Sequence, residues 1–242
     1  MQKVSFLVDR QKVTGTLFYP EKIKAKNPAI LFVHGWTSNQ EKSFQYAETL
    51  SKLGFICFLF DMRGHGSSEG DISKSTPKEF LRDVLAAYDY LVSLEEVDPR
   101  NISGVGSSFG CYLLAIASKK KSFKRLALRV PADYPNEVFD KAKMQNSGSN
   151  NSELVEWRKQ PKKSHETFAL QAISHYVGEV LVIEAEKDTI VPHETIVNYL
   201  NSMKKAKQVT HIIMKDSPHS ISPGRFRDEY EQILIDWFKD KI

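Results

Sequence analysis

Apolar and polar residues alternate from Val4 to Val8 and again from Lys12 to Tyr19, the two-residue period of a strand with one wet face. The pair predicts a hairpin at a sheet edge. Short unbroken apolar runs follow at 28–33, 55–60, 102–105, 126–130, 180–184 and 209–214. They are too brief for helices, and several are rich in β-branched residues, as buried strands are. Helical periodicity fills the gaps near 42–53, 77–93, 109–120, 193–204 and 225–240. Strands that alternate with helices argue for an α/β architecture, with eight strands in a mostly parallel sheet and helices on both faces.

Pro131 to Gly178 breaks this rhythm. Three short helical patterns (AsnGluValPheAspLysAlaLys, SerGluLeuValGluTrpArgLys and HisGluThrPheAlaLeuGlnAlaIle) are interrupted by AsnSerGlySerAsnAsnSer and by Pro161. A structureless loop of that length is unusual inside a compact domain, so the reading is a small helical cap inserted at about 131–178, over the active site. Val138, Phe139, Met144, Leu154, Trp157, Phe168 and Tyr176 are large side chains able to line an acyl or aryl pocket, with most expected to pack the cap onto the sheet and two or three to face substrate. Tyr134, Trp157 and Phe168 are the candidates for substrate binding. No repeat and no second core is visible. A chain of 242 residues, 41% hydrophobic, suits one sizeable core in a single domain.

The chemistry concentrates where one strand gives way to a helix, at Gly106-Ser107-Ser108-Phe109-Gly110. A serine hydroxyl attacks a carbonyl only when a base takes its proton and the backbone presents it. A sharp strand-to-helix turn does the presenting, and it needs small residues two before and two after the serine. Ser108 meets that test. Ser107, flanked at the same spacing by Val105 and Phe109, does not. In chain order an acid and then a histidine should follow, each on a loop after a strand. Asp188 lies just past the 180–184 run, and His219 lies in the loop after 209–214. An oxyanion hole requires two backbone N–H donors. Phe109, next to the nucleophile, is one; Trp36, in the His34-Gly35-Trp36 loop after the third strand, is the other.

Together with Asp61-Met-Arg-Gly-His-Gly66 and Asp188-x-x-Val-Pro, these motifs resemble the α/β-hydrolase family over nearly the whole chain from Val13. The resemblance is closest to small feruloyl or cinnamoyl esterases, monoacylglycerol lipases and the catalytic domain of acylaminoacyl-type peptidases. It implies an α/β-hydrolase fold and a Ser108–Asp188–His219 triad acting on carboxylic esters of short to medium acyl or aryl acyl groups. One departure is Ala185, where the acid turn more often carries glycine. Thioesterase, acyltransferase and serine-aminopeptidase chemistry remain open, as does a binding module on the same fold. His34 is expected to orient the oxyanion loop, and Arg63 and His65 to fix loops. His165, His175, His193 and His211 read as surface or cap residues.

Other features narrow the class. The formal charge is +4. The basic cluster from Lys119 to Arg129 (Lys119, Lys120, Lys121, Lys124, Arg125, Arg129) reads as a solvated helix end. Nucleic-acid binding would call for a basic face with interleaved aromatics, so no nucleic-acid partner is expected. Cys57 and Cys111 sit in apolar surroundings and read as buried free thiols. No residues have metal-ligand spacing, and neither a dinucleotide fingerprint nor a P-loop is present, so neither metal nor cofactor is expected. No secretory signal and no apolar run of membrane-spanning length is read. A cytoplasmic protein with no stable membrane insertion is the expectation.

Overall fold

All eight expected strands join one sheet in the computed structural model, which describes residues 1–142 and 152–241. They are β1 (Gln2–Val8), β2 (Gln11–Phe18), β3 (Asn27–Val33), β4 (Ile56–Phe60), β5 (Val97–Ser107), β6 (Arg125–Arg129), β7 (Glu179–Ala185) and β8 (Gln208–Met214). The order across the sheet is β1-β2-β4-β3-β5-β6-β7-β8. β1 and β2 form the edge hairpin, and β2 also runs antiparallel to β4. Every other pairing is parallel. This is the α/β-hydrolase fold.

Helices cover both faces: α1 (Phe44–Lys52), α2 (Pro77–Val92), α3 (Phe109–Ala117), α4 (Ser152–Arg158), α5 (Phe168–Ile173), α6 (His193–Ser202) and α7 (Arg225–Phe238). Side chains of one strand point alternately to opposite faces, and the core divides accordingly. Ala29, Leu31 and Val33 of β3 pack into a cluster with residues of α2 and α3. Ile30 and Phe32 pack with Tyr46, Leu50, Leu234 and Phe238 of α1 and α7. α2 begins where the sequence marks a start. The Thr76 hydroxyl accepts from the Glu79 N–H, the Glu79 carboxylate accepts from the Thr76 N–H, and Pro77 opens the helix.

Two boundaries differ from expectation. β5 runs from Val97 to Ser107, because its partners β3 and β6 supply ladder bonds past the apolar run at 102–105. α3 stops at Ala117; 118–121 forms turns whose N–H groups bond back to carbonyls of 114–117.

Between β6 and β7, the first helical pattern is a short 3-10 turn, Asn136–Val138, and the other two are α4 and α5. Met144 and most of the AsnSerGlySerAsnAsnSer stretch lie outside the described residues. α5 is built into the helical layer. Ala169, Leu170, Ala172 and Ile173 are buried, in contact with α3 and α6. The Tyr176 hydroxyl donates to the Phe123 carbonyl at 3.1 Å.

The register fixes where chemistry can gather. Val33 lies beside Gly106, Ser107 beside Arg129, Arg129 beside Ile183, and Ala185 beside Met214. The carboxyl ends of β3, β5, β6, β7 and β8 therefore form one edge, the place where ligands bind in sheets of this kind.

Candidate active site

Ser108 sits at that edge with φ 52° and ψ −113°, a left-handed conformation that costs a non-glycine residue free energy. Neighbouring backbone holds it there. Its N–H donates to the Arg129 carbonyl at 2.9 Å, and its carbonyl accepts from the N–H of Cys111 at 3.0 Å. The flanking glycines are required by contact. A Cβ on Gly110 would stand 2.1 Å from the Val33 carbonyl oxygen, and one on Gly106 would stand 3.0 Å from the Cys111 nitrogen. The neighbouring serine is engaged elsewhere: the Ser107 hydroxyl accepts from Arg129 Nη1 at 3.3 Å.

Asp188 follows β7 in a turn that occupies one of its carboxylate oxygens. Oδ1 accepts from the N–H groups of Ile190 and Val191, both at 2.8 Å. Oδ2 faces Nδ1 of His219 at 2.7 Å. A carboxylate only accepts, so Nδ1 carries the hydrogen and Nε2 keeps its lone pair. The carboxylate is buried, and the ring is 15% exposed. Ala185, in the place often held by glycine, ends β7 and accepts the Asp188 N–H at 3.1 Å, so the turn forms with alanine.

Ser108 and His219 line one cavity of about 450 Å³, together with Gly35, Trp36 and Tyr134. Phe109 is the first residue of α3, at the positive end of its dipole. Its ring meets those of Trp36 and Tyr134 edge-on, at 5.7 and 5.6 Å. His34 orders the loop that carries Trp36. Its Nδ1–H donates to the Gly35 carbonyl at 2.8 Å, and Nε2 accepts from the Met62 N–H at 3.1 Å. Burial, reinforced by His65, lowers the His34 pKa to about 4, so the ring is neutral at physiological pH. The Asp61 carboxylate accepts from the Gln40 backbone and side chain, each at 2.8 Å, and from the Ser67 N–H at 3.0 Å. Arg63 forms a buried ion pair with Asp83 at 2.6 Å.

Of the three candidates for substrate binding, Tyr134 borders the cavity and the other two do not. Trp157 packs against the core with the Lys162 ammonium 3.8 Å from its ring centre. Phe168 opens α5 and meets Phe139 edge-on at 5.0 Å. Both side chains are taken up by neighbours within their own segment.

Two arrangements escaped the sequence reading. Arg125 and Arg129 point into the protein from β6 and are buried, whereas the reading placed them on a solvated helix end. Arg125 bonds Asn101 Oδ1 at 2.9 Å; Arg129 Nη2 donates to the His219 carbonyl at 2.6 Å. His193 and His211, expected as surface or cap residues, bracket one buried carboxylate: Glu184 Oε1 lies 2.7 Å from His193 Nδ1, and Oε2 lies 2.9 Å from His211 Nε2. Alternation along β7 points Glu184 to the face that β8 and the start of α6 supply with histidines, a pairing no local spacing announces. Both cysteines are buried, and burial pushes their thiols up. Among the described residues, no group of three or more His, Cys, Asp and Glu side chains could hold a metal, and no helix is long and apolar enough to cross a membrane.

A strained serine turn, an oriented histidine and a shared cavity thus meet at one edge of the sheet. Residues 41–242 match the model of the prolyl oligopeptidase family, Peptidase_S9. The chain belongs to the prolyl oligopeptidase family. Among curated relatives, the human mitochondrial palmitoyl-protein thioesterase ABHD10 is 27% identical over 243 residues, covering 92% of this chain and 75% of that protein. The Pongo abelii ABHD10 is 35% identical over 118 residues, which span 47% of this chain and only 37% of that protein. Solved structures place this family member on the same fold. Est1E from Butyrivibrio proteoclasticus, with ferulic acid bound, superposes with a TM-score of 0.76 at 20% identity, covering 98% of both chains. Mouse alpha/beta hydrolase domain-containing protein 10 superposes with a TM-score of 0.68 at 18% identity, covering 99% of both.

Proposed function

We propose that this protein is a serine hydrolase that cleaves carboxylic esters of short to medium acyl or aryl acyl groups through an acyl-enzyme. The observation that carries the reading is the Asp188–His219 hydrogen bond at 2.7 Å beside a serine held in the strained elbow conformation in the same cavity. Membership of a hydrolase family supports it.

The chemistry follows from those groups. Nε2 of His219 takes the Ser108 proton as Oγ attacks the ester carbonyl carbon. The carbonyl oxygen becomes an oxyanion stabilised by the backbone N–H groups of Trp36 and Phe109. The C–O bond to the alcohol then breaks, and the alcohol leaves with the proton from His219. Water, deprotonated by the same ring, attacks the acyl-enzyme and releases the acid. Asp188 holds the tautomer and stabilises the imidazolium. Tyr134 and Trp36 give the acyl group an apolar wall, and each methylene buried there contributes about 0.8 kcal/mol.

Thioester hydrolysis is the second reading, favoured by the similarity to proteins named palmitoyl-protein thioesterase. The two share every step except the leaving group. Steady-state rates on matched oxygen and thiol esters of the same acyl group separate them: an oxygen ester turned over faster supports the first, a thiol ester the second. Turnover of neither, by protein that is folded, overturns both.

A further inference from the structure

The cavity that holds Ser108 is lined by three cations and by no carboxylate. Lys42, Arg129 and Arg227 all contribute to its wall, and neither Asp nor Glu does. Among the described residues, none of the three has a carboxylate within ion-pairing distance. That is unusual for Arg129, which is only 4% exposed. A buried charge is normally paired, because desolvation disfavours it. Here the guanidinium has only neutral neighbours in contact: the Ser107 hydroxyl and the carbonyls of His219 and Pro218. Its Nε finds no hydrogen-bond partner, nor does Nε of Arg227. A cavity wall with three cations and no carboxylate is suited to an anionic acceptor that arrives with the substrate.

The cations also share a side. Trp36, Tyr134 and Ile190 belong to the core cluster of α2 and α3. Tyr46, which lines the same cavity, belongs to the opposite cluster of α1 and α7, and the Arg227 guanidinium lies 5.8 Å from its ring centre. The site is thus apolar on one flank of Ser108 and cationic on the other. We propose that the cavity takes an ester with one apolar arm and one arm bearing an anionic group, a carboxylate or phosphate, which Arg227 and Lys42 receive while Arg129 supplies the buried positive field. This deepens the ester reading and rests on Ser108 as the nucleophile.

Paired substrates test it. p-Nitrophenyl hemiglutarate and its neutral carbamoyl isostere place the charge on the acyl arm. The butyrates of p-hydroxyphenylacetic acid and p-hydroxyphenylacetamide place it on the alcohol arm. A charge-assisted contact of the ordinary size gives about a tenfold preference in kcat/KM for the anionic member of at least one pair, reduced by added salt. The ratio within that pair falls to near one in the R227Q/K42Q double variant. Equal rates within both pairs, or a ratio the double variant leaves untouched, overturns the inference while ester turnover itself stands. If no ester is turned over, phenyl phosphate is tested for slowing fluorophosphonate labelling of Ser108. Slowing in the wild type but not in the double variant supports the anion site; no slowing in either overturns it.

Discussion

Asp188 Oδ2 and His219 Nδ1 stand 2.7 Å apart, across the turn after β7 and the loop after β8. The other oxygen of the same carboxylate is held by two backbone N–H groups, so the side chain has one orientation and offers the ring one oxygen. Asp188→Asn keeps the shape and reverses the hydrogen-bond preference, which favours the wrong tautomer. A loss of about 10⁴-fold in kcat is expected, as for the same change in a serine-protease triad, with the unfolding midpoint little altered. Glu184→Gln, in the neighbouring two-histidine cluster, should leave most of kcat. If Glu184→Gln costs more activity than Asp188→Asn, the carboxylate has been misassigned.

Gly110 tests the elbow itself. An added methyl would meet the Val33 carbonyl oxygen at 2.1 Å, and that oxygen belongs to backbone in the centre of the sheet, which cannot move aside. Gly110→Ala is expected to destabilise the fold by about 3 kcal/mol, the upper range for overpacking, read as a lowered urea midpoint. A variant of unchanged stability and activity would contradict the close approach of α3 to β3.

Acid sensitivity has a named source in His34. Burial lowers its pKa to about 4, below the unperturbed value near 6.5. The folded state therefore binds fewer protons than the unfolded chain between those values, and stability present above about pH 6.5 is lost as pH falls toward 4. Protonation of Nε2 also removes the acceptor for the Met62 N–H. Urea unfolding followed from pH 7 to 4.5 should show a steeper loss for the wild type than for His34→Gln. Parallel curves would remove His34 as the cause.

The segment between β6 and β7 yields a prediction about packing. Leu170 and Ile173 are fully buried against the layer around α3. Leu170→Ala is expected to cost about 2–5 kcal/mol, as core truncations of this kind do, by chemical denaturation. Phe168→Ala, at a position 38% exposed, should cost much less. Equal costs would mean that α5 does not dock as described.

How far the residues announced this architecture depends on the range of the interaction. The turn that holds Ser108 and the loops that carry Asp188 and His219 were legible because each is marked locally, by glycine spacing or by position just past an apolar strand. The eight strands were legible for the same reason. Arg129 was misread because the basic run it was grouped with, Lys119 to Lys121, does follow the end of a helix; only the pairing of β6 between β5 and β7 turns Arg129 inward. Glu184 and its two histidines meet through strand register and a helix start, so nothing in their spacing pointed to one another. Trp157 and Phe168 are large and apolar in an irregular segment, and apolarity alone did not say whether they would face the cavity or their own neighbours.

Ser108 as the nucleophile is the claim on which the rest depends, and covalent labelling by a small fluorophosphonate, located by peptide mass spectrometry, tests it most directly. The predicted result is a single adduct on Ser108, lost in Ser108→Ala together with about 10⁶-fold in kcat. It should persist in Ser107→Ala, because the Ser107 hydroxyl is engaged by Arg129. An adduct on Ser107 or any other residue, or a Ser108→Ala protein that still turns over esters at a comparable rate, would contradict it.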